Sequence, residues 1–347
     1  MMRCTFAAGA VAALGLLAPV PAAAAETLLF NCFFPPRHYV CADFLPEMGR
    51  RIEAATDGRV RLQVPPGTLA APPEQYEAVR NGVMDGAVQF NGFLREQVPG
   101  MQFGLLPFVG QAQAEASSVA IWNTFQTHFG GEDAFGDAVL LSVFAYNGGD
   151  FYSVTDTPIT SVDDVARRKI WAVPGATANT IAATGASVVS GPAVQMLEIV
   201  SKGVVDGHVG VPQSEVTQFK LTDYTRSVTV FPEKIFQASF SFFVSKAAWE
   251  RIDEADRAAI EAALGVDFAR WMGAFQDKVF DVAHEELKAA GVDFVEGDPA
   301  MLEAMKALGK EQVDAWIATV GAAGVDGAQV LADYADAYRA AVASGGN

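Results

Sequence analysis

Basic residues are scarce in this chain: its 347 residues carry 24 Lys and Arg against 41 Asp and Glu, a formal net charge of -17. Binding a phosphate backbone needs a basic face, so nucleic acid is excluded as a partner, and the acidity reads as a means of keeping an exported protein soluble. Only four histidines occur, and they are scattered. His284-Glu285-Glu286 has no second histidine at helical spacing, so no zinc set can be read. The chain contains no G-x-S-x-G elbow, no phosphate loop and no dinucleotide glycine fingerprint. An enzyme therefore has no positive support, and neither metal nor cofactor is expected. Beyond residue 25 no apolar run is long enough to cross a membrane, and no low-complexity segment or solenoid repeat occurs. Cysteine is also rare, with Cys4, Cys32 and Cys41 the only three.

What is present describes a packed globular protein. Hydrophobic residues make up 51% and charged residues 19%, over a length that accommodates two lobes with separate cores. The N-terminus reads as a secretory signal. Arg3 is its positive end, Phe6 to Leu17 its apolar centre, and Ala23-Ala24-Ala25 a small-residue cleavage site before Glu26. Residues 1–25 are thus expected to be removed on export to the periplasm. Cys4 precedes the apolar run, so it cannot be a lipoprotein cysteine at the cleavage point. Cys32 and Cys41 remain in the mature chain. An oxidising compartment permits a bridge between them, and two small buried apolar side chains are the other reading; both stand.

Periodicity and punctuation give the element order. Thr27 to Cys32, Arg59 to Val64 and Gly86 to Phe90 read as strands, separated by a helix over His38 to Ala54, kinked by Pro46, and a short one from Pro73 to Arg80. A helix from Ala112 to about Phe129 and an apolar strand from Ala138 to Tyr146 follow. Asn147-Gly148-Gly149-Asp150 reads as a crossing between lobes, with glycines that supply hinge freedom. The stretch from Ser161 to Gly210 then organises the second lobe. Ser161 with Asp163 and Asp164 starts a helix, and Lys169 to Val173 is a short strand ended by Pro174-Gly175. A helix over Ala176 to Ala183, a strand at Ser187 to Val189, a helix over Ala193 to Lys202 and a strand from Val204 to Val209 complete it. Such β-α-β alternation means parallel strands with right-handed crossovers and a ligand beyond their carboxyl ends, which is where Trp171 lies. Thr225 to Phe231 and Gln237 to Ser245 are further strands, the second returning the chain to the first lobe. Ala247 to about Ala290 is strongly helical. Gly291 to Val295 is a last short strand, and helices from Ala300 and Gly327 finish the chain.

The run Asp164 to Gly175 with Lys169-Ile170-Trp171-Ala172-Val173-Pro174, then Thr184-Gly185-Ala186, Gln195 to Val200 and Gly203-Val204-Val205-Asp206-Gly207, resembles the substrate-binding proteins of tripartite ATP-independent periplasmic (TRAP) transporters, the DctP-like family. Leu105-Leu106-Pro107-Phe108, and Phe242-Phe243-Val244-Ser245 with Trp249, extend the resemblance over nearly the whole mature chain. It implies an α/β, two-lobed periplasmic binding protein of type II-like, Venus-flytrap form with long C-terminal helices. Residues 26–147 and 240–347 would form the first lobe with its helical tail, and residues 148–239 the second. It also implies a receptor, expected to be a monomer, that delivers a small-molecule solute to a TRAP membrane permease.

The family's signature arginine, which clamps a substrate carboxylate, aligns with Trp171. A second basic position aligns with Phe151, a polar strand-end position falls near Phe90, and a family asparagine falls near Gly210. Any one aromatic here reads equally well as core. Trp171, Phe151 and Phe90 together suggest an aromatic cage, joined by Phe33, Phe34 and Tyr152, with Asp150 the nearest acid and His208 a further contact beside Asp206-Gly207. Such a cage favours cations by roughly 0.5–2 kcal/mol per desolvated ring. The expected solute is therefore an amine or quaternary ammonium compound of the ethanolamine or choline kind. The alternatives are an organic acid held by a non-standard contact, with Arg37, Arg167 or Arg168 as a displaced cation, and a secreted α/β enzyme using His208 and Asp206.

Overall fold

The computed structural model describes residues 25–345 apart from 111 and 132. The expected signal segment therefore lies outside the described residues, save for Ala25. The strands are β1 (Glu26–Asn31), β2 (Val60–Gln63), β3 (Gly86–Phe90), β4 (Ala138–Ala145), β5 (Phe151–Ser153), β6 (Lys169–Ala172), β7 (Ser187–Ser190), β8 (Gly207–Val209), β9 (Ser227–Val230), β10 (Ser239–Ser245) and β11 (Asp293–Glu296). They form two sheets, ordered β2-β1-β3-β10-β4 and β11-β9-β5-β8-β6-β7, each flanked by helices. In each sheet one strand runs against its neighbours: β10 in the first and β5 in the second. These are the strands by which the chain arrives from the other lobe, after crossings at residues 231–238 and 146–150. The remaining pairings next to β1 and β6 are parallel, as the β-α-β pattern requires.

Local chemistry explains most boundaries. Ser161 and Asp164 form a reciprocal capping box that starts the helix Val162–Ala166. The expected kink at Pro46 is resolved by a five-residue π turn, Val40–Phe44, directly before the helix Leu45–Ala55. That places the proline in the first α-helical turn, where its missing N–H costs nothing. The helical stretch expected from Ala247 to Ala290 is three helices, Lys246–Glu250, Glu254–Ala263 and Gly265–Ala289, the last break being at Gly265 with a φ of 44°.

The two crossings lie side by side: Gly149 bridges Phe236 in antiparallel fashion. A Cβ on Gly149 would stand 2.4 Å from the carbonyl carbon of Gly210. Glycine is required there for close backbone approach. Two further passages join the lobes. The helix Gly265–Ala289 packs on Ala114–Phe129 in the first lobe and on Gln213–Gln218 in the second. The helix Pro299–Ala322 puts Met301 and Met305 into the second lobe's core and Trp316 and Val320 into the first's. Between them β11 pairs with β9. The sequence places all of 240–347 with the first lobe, whereas this strand belongs to the second sheet.

Candidate functional site

Strand alternation sorts the aromatic residues of the second sheet. Phe151, Ile170, Ala172 and Val209 point to one face, into a core with Phe236 and Met305. Trp171, Tyr152 and His208 stand on the other, with His208 in register between the other two. Trp171 thereby faces the first lobe, and a cavity lies between them. Phe33, Phe34, Phe90, Phe93, Tyr146 and Phe240 line it from the first lobe. Trp171, Val173, Pro174, Pro192, Val211 and Glu215 line it from the second. Most of these residues end or follow strands, the position expected of a ligand site in open α/β sheets. A wider depression beside Trp122, Trp249 and Arg257 lies at the opposite end of β4, away from both crossings.

The walls are close-packed. Phe240 sits 5.5 Å from Phe90, 5.6 Å from Phe34 and 4.9 Å from Tyr146, measured between ring centroids. Phe33 stacks on Phe34 at 4.3 Å, and Phe34 on His38 at 4.2 Å. A Cβ on Gly92 would stand 2.2 Å from the Phe90 ring, so that glycine makes room for this wall. The free space left is about 40 Å³, enough for a water molecule or two. The rings occupy most of the space between the two walls.

Two features give the cavity its polarity. First, Glu215, 1% exposed, accepts hydrogen bonds from Tyr39 Oη and from His38 Nε2, the latter at 3.0 Å. His38 Nδ1 accepts the Val40 N–H, which leaves Nε2 as the donor. Second, Trp171 Nε1 is buried without a partner, and Tyr146 Oη is buried close to Glu215 and Tyr39 without a well-aligned hydrogen bond. Burial, reinforced by the charge of Glu215, pushes the Tyr39 and Tyr146 phenols well above their ordinary value, so both stay protonated donors. Among the described lining residues there is no Lys or Arg.

The residues named from the sequence divide accordingly. Phe33, Phe34, Phe90 and Trp171 line the cavity. Phe151 is core, packed against Phe231 and Phe236 on the far face of the sheet. Tyr152 lies outside the lining and donates its hydroxyl to Val211 O. Asp150 is not a free acid: Lys234 Nζ at 2.5 Å and Gln213 Nε2 at 2.9 Å hold it, tying one crossing to the other. His208 stacks on Tyr152 with neither ring nitrogen bonded, and burial lowers its pKa to about 3. It is neutral and makes no dyad, since Asp206 accepts the Lys169 N–H instead. Arg37 is exposed, Arg167 pairs with Asp163 and Asp164, and Arg168 bonds Ser153 and the carbonyls of Thr157 and Pro158. None replaces the missing clamp. Glu215, Tyr146, Phe93 and Phe240 are absent from the sequence reading. Phe240 and Tyr146 flank the expected crossings and were accessible from that fact; nothing in Val211-Pro212-Gln213-Ser214-Glu215 marks its acid.

Two α/β lobes thus flank an aromatic cavity with one buried acid. Residues 31–319 match the family described as bacterial extracellular solute-binding protein, family 7, and the chain belongs to that family. It is a solute receptor of the TRAP type and not an enzyme. A relative from Comamonas testosteroni, called outer membrane transporter protein TsaT, is 34% identical over 332 residues, 95% of this chain and 96% of its own. Among solved structures, a TRAP periplasmic solute-binding protein from Bordetella bronchiseptica with bound (R)- and (S)-mandelate superposes with a TM-score of 0.84 at 28% identity, covering 90% of this chain and 98% of its own. A marine-metagenome TRAP protein specific for aromatic acids, in complex with 3-hydroxybenzoate, gives 0.80 at 25% identity over 91% of this chain and 98% of its own.

Proposed function

We propose that this receptor binds an aromatic organic acid in the cleft between its lobes and delivers it, as a monomer in the periplasm after removal of its signal segment, to a TRAP membrane permease. The observation that carries the reading is the buried, unpartnered indole N–H of Trp171 in a wall of aromatic rings. An indole nitrogen only donates, so the ligand must bring an acceptor to it. An ammonium head would leave that donor desolvated and unpaired. Tyr146 Oη supplies a second neutral donor, and the rings of Phe34, Phe90 and Phe240 favour a planar aromatic body. The aromatic acids in the two solved relatives support the same class.

A second reading is the amine or quaternary ammonium compound expected from the sequence. Glu215 favours it, as a buried carboxylate in an aromatic cavity whose described lining offers no cation. A thermal-shift panel of aromatic acids, aliphatic acids, amines and quaternary ammonium compounds separates the two, because a saturating ligand raises the melting temperature by mass action. Shifts from aromatic acids are expected; shifts from amines alone would overturn the acid reading.

A further inference from the structure

Glu215 is an odd residue to find beside a bound acid. It is buried, it lines the cavity, and it comes from the second lobe, while its two donors, His38 and Tyr39, come from the first. A carboxylate offers about four lone-pair positions, of which these donors occupy two. The Tyr146 hydroxyl lies close to this carboxylate and to Tyr39 but makes no well-aligned hydrogen bond, so acceptor capacity on Glu215 is left over. An anionic ligand group brought to this carboxylate would meet like charge in a medium of low dielectric, so the ligand's acid group must sit elsewhere, against the Trp171 donor. The part of the ligand that does meet Glu215 then faces open acceptor positions.

We propose that Glu215 determines specificity by accepting a hydrogen bond from a hydroxyl or amino substituent on the aromatic ligand. The inference rests on the acid reading given above. A ring lacking the donor leaves the carboxylate's free positions desolvated and unpaired, and a site built to accept from a substrate hydroxyl discriminates strongly against the analogue without it. Glu215 already has two protein partners, so the discrimination should be of moderate size, about 10- to 100-fold in Kd. A methoxy substituent fills the same space with no proton to give, and should bind like the unsubstituted ring or worse.

The test is calorimetric titration of the mature protein with benzoate, 3- and 4-hydroxybenzoate, 4-aminobenzoate and the two methoxybenzoates. It is repeated for Glu215→Gln and Tyr39→Phe, with circular dichroism to verify folding. The expected result has at least one hydroxy or amino compound binding 10-fold or more tighter than benzoate and its methoxy counterpart. Glu215→Gln keeps one acceptor oxygen but loses its charge, and should reduce that preference at least about threefold. Tyr39→Phe, which frees a position on the carboxylate without altering the cavity lining, should keep it. Equal binding of the hydroxy and methoxy compounds by the natural protein overturns the inference while leaving the acid reading intact. So does a preference that Glu215→Gln leaves unchanged, or one that Tyr39→Phe reduces as strongly. Binding of no aromatic acid, with amines binding instead, overturns the acid reading and this inference with it.

Discussion

At position 171 an indole stands where the resemblance to the family leads one to expect a guanidinium, and the two groups differ in what they can do. Trp171 gives one neutral donor and a broad face, both buried. Trp171→Phe keeps most of the face and removes the donor. A hydrogen bond to a charged acceptor contributes about 1.5–3 kcal/mol. The variant should therefore lose roughly 10- to 100-fold in affinity for the best aromatic acid while staying folded, as read by titration calorimetry. His208 makes a different prediction. Its pKa falls from 6.5 to about 3 on folding because burial disfavours the charged ring. Above pH 6.5 the ring is neutral folded or unfolded and contributes no pH dependence. As the pH falls from 6.5 towards 3 the unfolded chain takes up the proton and the folded one does not, so stability declines by up to about 1.4 kcal/mol per pH unit. Denaturant unfolding of His208→Gln between pH 7 and 5 should show a flatter slope than the natural protein. Trp171 was legible because it interrupts a motif. Glu215 was not, because a lone acid in a polar turn looks like surface until the lobes are placed face to face.

Among the elements, the loop after β1 carries the most chemistry. Phe33, Phe34, His38 and Tyr39 all lie between Cys32 and Cys41, which form a disulfide. The bridge closes a short loop around two wall residues and both donors to Glu215. Of the two readings open for these cysteines, the bridge is the one found. Closing a loop of this length contributes about 2–4 kcal/mol. Reduction, or Cys32→Ser with Cys41→Ser, should lower the melting temperature. It should also weaken ligand binding by more than global destabilisation accounts for, because the cavity wall itself is loosened; unchanged affinity in a folded double variant would count against this role. Element boundaries followed the sequence wherever a local rule was decisive, as at Ser161 and Pro174. They departed from it where tertiary contacts decided. Phe151 sits one residue out of phase with the cleft, and a strand's period of two sends its ring to the opposite face of the sheet.

For the whole molecule, the prediction is that the lobes move as bodies about the paired crossings to admit a ligand. Small-angle scattering should show compaction on saturation with the best acid, and unchanged dimensions would argue against that motion. Gly149→Ala should be destabilising by about 1–3 kcal/mol in chemical denaturation, since its Cβ would meet backbone that cannot rotate away. Gly148→Ala should also be destabilising, because its Cβ would stand 2.3 Å from Cγ and 2.4 Å from Cβ of Lys234, the near end of a side chain held on Asp150. The two lobes and their order were readable because the same alternation of strand and helix recurs in each half. The pairing of β11 with β9 was not, since Asp293 to Glu296 is short and follows a long helix anchored in the first lobe.

That late pairing bears on how the protein is made. A ribosome or an export channel releases the chain from its N-terminal end. β9 is therefore delivered, and the helix Gly265–Ala289 after it, before its neighbour β11 exists. Through that interval the Ser227–Val230 strand is a bare sheet edge with unpaired N–H and C=O groups, open to another nascent copy or to a chaperone. The second sheet is therefore completed only after the first, whose last strand ends at Ser245. A fragment that stops short of Asp293 retains the open edge for good, and should collect in the insoluble fraction where the full chain does not.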